Sequence, residues 1–203
     1  LEFRRVLFRS LDDFSGNLYQ ASKWPHEPVS FRGQRVGIIG TGSSGIQAIP
    51  VIAAEADHLT VFQRTPNFSV PARNAPLDQD WVDAFKQNYR AHRSNHKQGI
   101  GSGFGDLDIE PVTSLPEPVL RSQISEAKAN ELLEAAWERG GARFMGAITD
   151  ILMNETANEF AAAFVHRKIH EIVKDQATAS LLCPTNHPIG SRRICVDIDY
   201  YET

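Results

Sequence analysis

The chain has 203 residues, 41% hydrophobic and 23% charged, enough for one or two compact domains of ordinary globular composition. A formal net charge of −4 gives no electrostatic reason to expect nucleic acid or an anionic membrane as a partner. No apolar run approaches the roughly 18 residues that a membrane helix needs, and Cys183 and Cys195, far apart and without C-x-x-C spacing, are expected to be reduced, inert thiols in a cytoplasmic protein.

Residues 1–10 (LEFRRVLFRS) resemble the in-frame translation of a sequencing-library adapter, and are expected to be a non-native segment without bearing on the fold. A reading frame with such a scar is expected to be an internal fragment of a longer protein. Residues 11–34 are rich in turn formers, with Gly16, Pro25, Pro28 and Gly33, and read as an ordered linker. An apolar run at 35–39 suits a buried parallel strand. The glycine turn Gly40-Thr41-Gly42-Ser43-Ser44-Gly45 follows, then apolar residues at helical spacing over 46–56 and a second β-type run at 59–62. Strand, glycine turn, helix and strand within about 30 residues make a βαβ unit. Pro66, Pro71 and Pro76 are expected to break regular structure after it.

From Asp78 the period becomes helical, with Trp81, Phe85, Tyr89 and His92 on one side of a helix. A Gly-rich, then Pro-rich loop is expected over 99–118, and three further helical stretches near 122–139, 142–153 and 155–174. Alternation at 194–198 predicts a short strand. A helical block between pieces of an α/β sheet suggests an insertion into a nucleotide-binding domain.

In the glycine turn, Gly40 permits the tight bend, Gly42 lets a pyrophosphate approach the backbone, and Gly45 allows helix and strand to pack closely. Free N–H groups at the helix start stabilise phosphates. Thr41, Ser43 and Ser44 add hydroxyl donors, and Gln47 is placed to reach the same anion. An NAD-type site has a carboxylate at the end of the second strand. Here stand Gln63-Arg64-Thr65, with no acid from 59 to 75, and a guanidinium with a hydroxyl suits the 2′-phosphate of NADP. The expected organisation is an α/β fold: a partial Rossmann-type NADP-binding domain (35–76, returning at 188–203) with a helical insertion (77–187).

The segment Phe14-Ser15-Gly16-Asn17-Leu18-Tyr19-Gln20-Ala21-Ser22-Lys23-Trp24-Pro25 resembles the fingerprint F-x-G-x-x-x-H-x-x-x-W-P of Baeyer–Villiger flavin monooxygenases. The likeness continues through RVGIIGTGSSGIQ, VFQRTP, VPARNAPLD, HPIGSRR and DYYET, and looks close to the phenylacetone and cyclohexanone monooxygenase branch. One position departs: Gln20 stands where the fingerprint has histidine, and it cannot become charged.

The resemblance implies a fragment of a flavoprotein with two dinucleotide-binding domains, using FAD and NADP to insert one oxygen from O2 into a small-molecule ketone and release an ester or lactone. It places Arg193 on the family's catalytic arginine, which steadies an anionic oxidant, and Arg192 on a basic residue that helps to bind the NADP phosphate. Alternatives remain: a flavin-containing monooxygenase acting on nitrogen or sulfur, from which Trp24-Pro25 departs, or an NADP-binding fragment without activity of its own. The pairs His92/His96 and His166/His170 lack a third ligand and are read as solvated helix faces, not metal sites. Glu131, Glu134 and Glu138 are read as a charged face.

Overall fold

A computed structural model describes residues 13–97 and 117–203. The adapter-like segment 1–10 and nearly all of the expected loop 99–118 lie outside the described residues.

Strand β1 (Arg35–Ile39), helix α1 (Ser43–Ala53) and strand β2 (His58–Phe62) form the first unit. The strands pair in parallel, from Arg35 opposite His58 to Ile39 opposite Phe62. Ile46, Ile49 and Ile52 recur every third residue and supply the buried stripe of α1. The helix starts three residues earlier than the apolar pattern suggests, because Gly42 sits in its N-cap position.

Strand β3 (Ser69–Pro71) pairs in parallel with β4 (Cys195–Asp197), Ser69 opposite Cys195 and Pro71 opposite Asp197. The expectation that the prolines exclude regular structure fails at Pro71. The Phe68 carbonyl accepts from the Cys195 N–H and the Ala72 N–H donates to the Asp197 carbonyl. Strand alternation therefore turns the Pro71 nitrogen away from β4, where no donor is required. The described parallel structure is two separate two-stranded pieces, and α1 packs against β4 as well as against β1 and β2.

Between β3 and β4 lie α2 (Gln79–Lys97), α3 (Glu126–Arg139), α4 (Glu155–Ile172) and α5 (Gln176–Leu182). On α2 the ring of Phe85 stacks with Trp81 at 5.2 Å and with His92 at 4.9 Å. Side chains of Ser125, Asn154 and Asp175 accept from backbone N–H groups at the starts of α3, α4 and α5. The expected helix at 142–153 is a short 3-10 turn, Ala142–Gly146, followed by turns. Its polar side chains serve another segment: Thr149 accepts from the Val119 N–H and Asp150 from the Arg121 N–H. Such local bonds compete with helix formation. The helix expected to reach 174 stops at Ile172, where the Gln176 amide donates to the carbonyls of His170 and Val173. Helix α5 follows it and is not apparent from apolar spacing.

One buried cluster joins these parts. Leu133 and Trp137 of α3, Phe144, and Phe164 and Ile169 of α4 share it with Val70 of β3 and Ile46 of α1. Trp137, Phe144 and Phe164 form a triangle with ring centroids 5.8–6.1 Å apart. No helix among the described residues is long and apolar enough to cross a membrane.

Candidate functional site

The turn from β1 into α1 is built on glycine. Gly40 has φ of 99°, and its N–H donates to the Phe62 carbonyl, tying the ends of β1 and β2 together. A Cβ on Gly45 would collide with the Gly40 carbonyl oxygen, whereas a Cβ on Gly42 would meet nothing within 4 Å. Strand and helix are thus packed closely below the turn, and open space lies above it. Gly42 makes no side-chain cap, so the first-turn N–H groups of α1 remain available to an anion.

The structure divides the polar residues of this turn into two sets. Ser44 is exposed, and its hydroxyl makes no hydrogen bond among the described residues. Thr41 is buried, and its hydroxyl donates to the Thr65 carbonyl at 3.4 Å, fastening the turn to the loop after β2. The Ser43 hydroxyl lies 3.5 Å from the Cys195 sulfur. Gln47 donates one amide N–H to the Val196 carbonyl at 3.2 Å, which ties it to β4. Arg64 projects into solvent beside Thr65. Gln63 donates to the Leu181 carbonyl at the end of α5.

The loop bearing Arg192 and Arg193 turns at Gly190, whose φ of 86° disfavours other residues and which packs against Leu152 and Met145. Both the N–H and the hydroxyl of Ser191 donate to the Pro188 carbonyl, at 3.2 and 2.8 Å. The side chains of Arg192 and Arg193 are exposed. Asn67 donates to the Arg193 carbonyl at 3.1 Å, and so joins the loop carrying Arg64 to the loop carrying Arg193. Burial lowers the pKa of His187, helped by the charge of Arg192. Burial also lowers that of His166, against the opposing bond to the Pro184 carbonyl. Beneath the arginine loop, the buried Asp197 carboxylate accepts from the Ser69 hydroxyl and from the Tyr200 N–H. Burial raises its pKa, and burial pushes the Tyr200 phenol up to about 12.

The fingerprint-like residues lie elsewhere. The ring of Phe14, 60% exposed, folds over Gly16, and a Cβ on Gly16 would come within 2.7 Å of it. Gln20 is exposed, and its carbonyl accepts from the Lys23 N–H to open a 3-10 turn. Trp24, 45% exposed and followed by half-buried Pro25, clusters with Tyr19 and Phe31. The Phe31 N–H donates to the Glu55 carboxylate just past the end of α1. The fingerprint is therefore anchored at the opposite end of α1 from the glycine turn, roughly 15 Å away at 1.5 Å per residue.

Of the paired histidines, His166 meets the Pro184 carbonyl and His170 the Gln176 amide oxygen; the side chain of His96 lies outside the described residues. Glu131 pairs with Lys128, Glu134 with Lys168 and Glu138 with Arg73. Both cysteines are buried and free. Asn67, Gln63 and Asp197 carry much of the site's internal bonding and were not singled out by sequence. A lone Asn between Pro66 and Phe68 gives only a loop signal.

No family model matches the chain. Curated relatives do. A cyclohexanone 1,2-monooxygenase from an Acinetobacter species is 39% identical over 197 residues, 96% of this chain and 34% of the relative. A phenazine N-monooxygenase from Lysobacter antibioticus is 37% identical over 195 residues, 95% of this chain and 34% of the relative. Among solved structures, a steroid monooxygenase bound to NADP superposes with a TM-score of 0.85 at 42% identity, over 97% of this chain and 36% of that one. The chain spans about a third of the length of the relatives it matches. By sequence and by backbone the chain is similar to about one third of a Baeyer–Villiger monooxygenase.

Proposed function

We propose that this chain is the NADP-reading part of an FAD- and NADPH-dependent monooxygenase that converts ketones to esters or lactones with O2. In this reading β1, α1, β2 and the β3–β4 pair belong to one Rossmann-type domain, and α2–α5 are an insertion between its strands. The observation that carries the reading is the continuity of one bonded unit. Thr41 ties the glycine turn to Thr65, Asn67 ties the Arg64 loop to Arg193, and Gln47 ties α1 to β4. A dinucleotide on the turn would thus lie on a frame that also holds both arginines.

The residues present fit NADP. Open space over Gly42 admits a pyrophosphate, uncapped N–H groups face it, and Arg64 with Thr65 suits the 2′-phosphate. Arg192 adds a second phosphate partner. For FAD the described residues offer no second glycine turn of this kind. When bound, the flavin supplies the electron and oxygen chemistry. This chain contributes the coenzyme's orientation and, at Arg193, a permanent cation on a fixed backbone, suited to an oxyanion at the reacting carbonyl. The setting is the cytoplasm, consistent with free thiols.

The match to a phenazine N-monooxygenase favours a second reading, oxygenation of nitrogen. The deciding experiment gives the full-length protein NADPH, O2 and either cyclohexanone or phenazine. Lactone from the ketone supports the first reading. N-oxide without lactone supports the second and overturns the first.

A further inference from the structure

Strands β3 and β4 would, if continued by one more regular rung, bond the Phe68 N–H to the Arg193 carbonyl. The strand register requires this: the Cys195 N–H donates to the Phe68 carbonyl at 2.8 Å, and the partner bond of a parallel ladder at that point is Phe68 N–H to residue 193. The rung does not form. The Phe68 N–H donates instead to Asn67 Oδ1 at 3.0 Å, and Asn67 Nδ2 donates to the Arg193 carbonyl at 3.1 Å. The same Nδ2 reaches the Cys195 sulfur at 3.1 Å. The side-chain amide of Asn67 is thus spliced into the ladder, satisfying both backbone groups while holding Arg193 one amide's width away from β3. We infer that Asn67 is a positioning residue, which releases Arg193 from the sheet and fixes where its guanidinium projects.

The inference rests on the proposed role of Arg193, but part of its test does not. Asn67→Asp keeps an oxygen for the Phe68 N–H and replaces the donor facing Arg193 with an acceptor. Asn67→Ala removes both and lets the regular rung close. Because Asn67 is only half-buried and the ladder can re-form in Asn67→Ala, that variant is not expected to lower the melting temperature appreciably.

In the full-length protein, hydrogen–deuterium exchange of a peptide covering 189–194 should rise in Asn67→Asp, by up to about tenfold, because the loop opens more often once its Arg193 carbonyl loses the Asn67 tether. In Asn67→Ala, exchange at Phe68 and across 189–194 should match the wild type or fall, as the rung closes. Product formed per NADPH consumed should drop at least about threefold in both, toward the Arg193→Ala value. Wild-type exchange in Asn67→Asp, or wild-type product yield in either variant, would overturn the inference. If Arg193→Ala itself kept full yield, the functional reading would fail, and the exchange of Asn67→Asp would still decide the positioning of the loop.

Discussion

Gly45 lies so close to the carbonyl oxygen of Gly40 that a Cβ on it would collide with that oxygen, which is backbone and cannot swing aside. Gly45→Ala is therefore expected to cost about 1–3 kcal/mol, the usual range for overpacking. Gly42→Ala, whose Cβ would enter open space at an ordinary φ of −81°, should be close to neutral for folding yet weaken NADP binding. Chemical denaturation and coenzyme titration of the two variants check this. Equal loss of stability in both would contradict it.

The coenzyme preference is expected to depend on Arg64. Its exposed guanidinium stands where an NAD site has a carboxylate, beside a loop pinned by Thr41. Loss of a charge-assisted phosphate contact typically costs about 1.5–3 kcal/mol, or roughly 10- to 150-fold. In the full-length protein, Arg64→Ala should raise the KM for NADPH by that order and leave that for NADH little changed. An intact NADPH preference would exclude Arg64 as the reader of the 2′-phosphate.

Leu133 is fully buried in a core that α3 and α4 share with β3 and α1. Leu133→Ala should cost about 2–5 kcal/mol. Because the core is shared, helices and strands should lose structure in one transition. Two separate melts, with only the first shifted, would show that the helices fold as an independent unit.

His166 links stability to pH. Its folded pKa is lowered by burial, so the neutral ring is favoured in the native state, donating from Nε2 to the Pro184 carbonyl while its ring stacks on Phe68. Its contribution is present above the ordinary histidine value of about 6.5 and is lost as pH falls through the lowered folded value. His166→Gln should flatten that acid-side fall in melting temperature. His187, also lowered by burial, keeps a residual slope. An unchanged pH profile in the variant would remove His166 from this role.

How far the sequence speaks for itself varies with the physics involved. The β1–α1–β2 unit is legible because apolar period, glycine spacing and strand composition agree there. Strand β3 is hidden because Pro71 argues against a ladder that only a distant partner, β4, can complete. The 142–153 stretch has helical spacing, but Thr149 and Asp150 are committed to residues some 30 positions away. Arg64, Arg192 and Arg193 stand out by charge. Asn67, which bonds to the backbone of one of them, does not, since a side-chain bond to a remote carbonyl leaves no periodic trace. Nor does the sequence show that Thr41 and Gln47 bond within the chain.

The most direct test of the account is the amount of ester or lactone formed per NADPH consumed by the full-length protein, compared between wild type and Arg193→Ala. The variant should fold and bind NADPH, because Arg64 and the glycine turn are untouched, while oxygenation falls about 10²- to 10³-fold, as when one preorganised oxyanion partner is removed. Arg193→Lys should recover little, since an ammonium lacks the planar fork of donors. A wild-type yield of ester in Arg193→Ala would contradict the account.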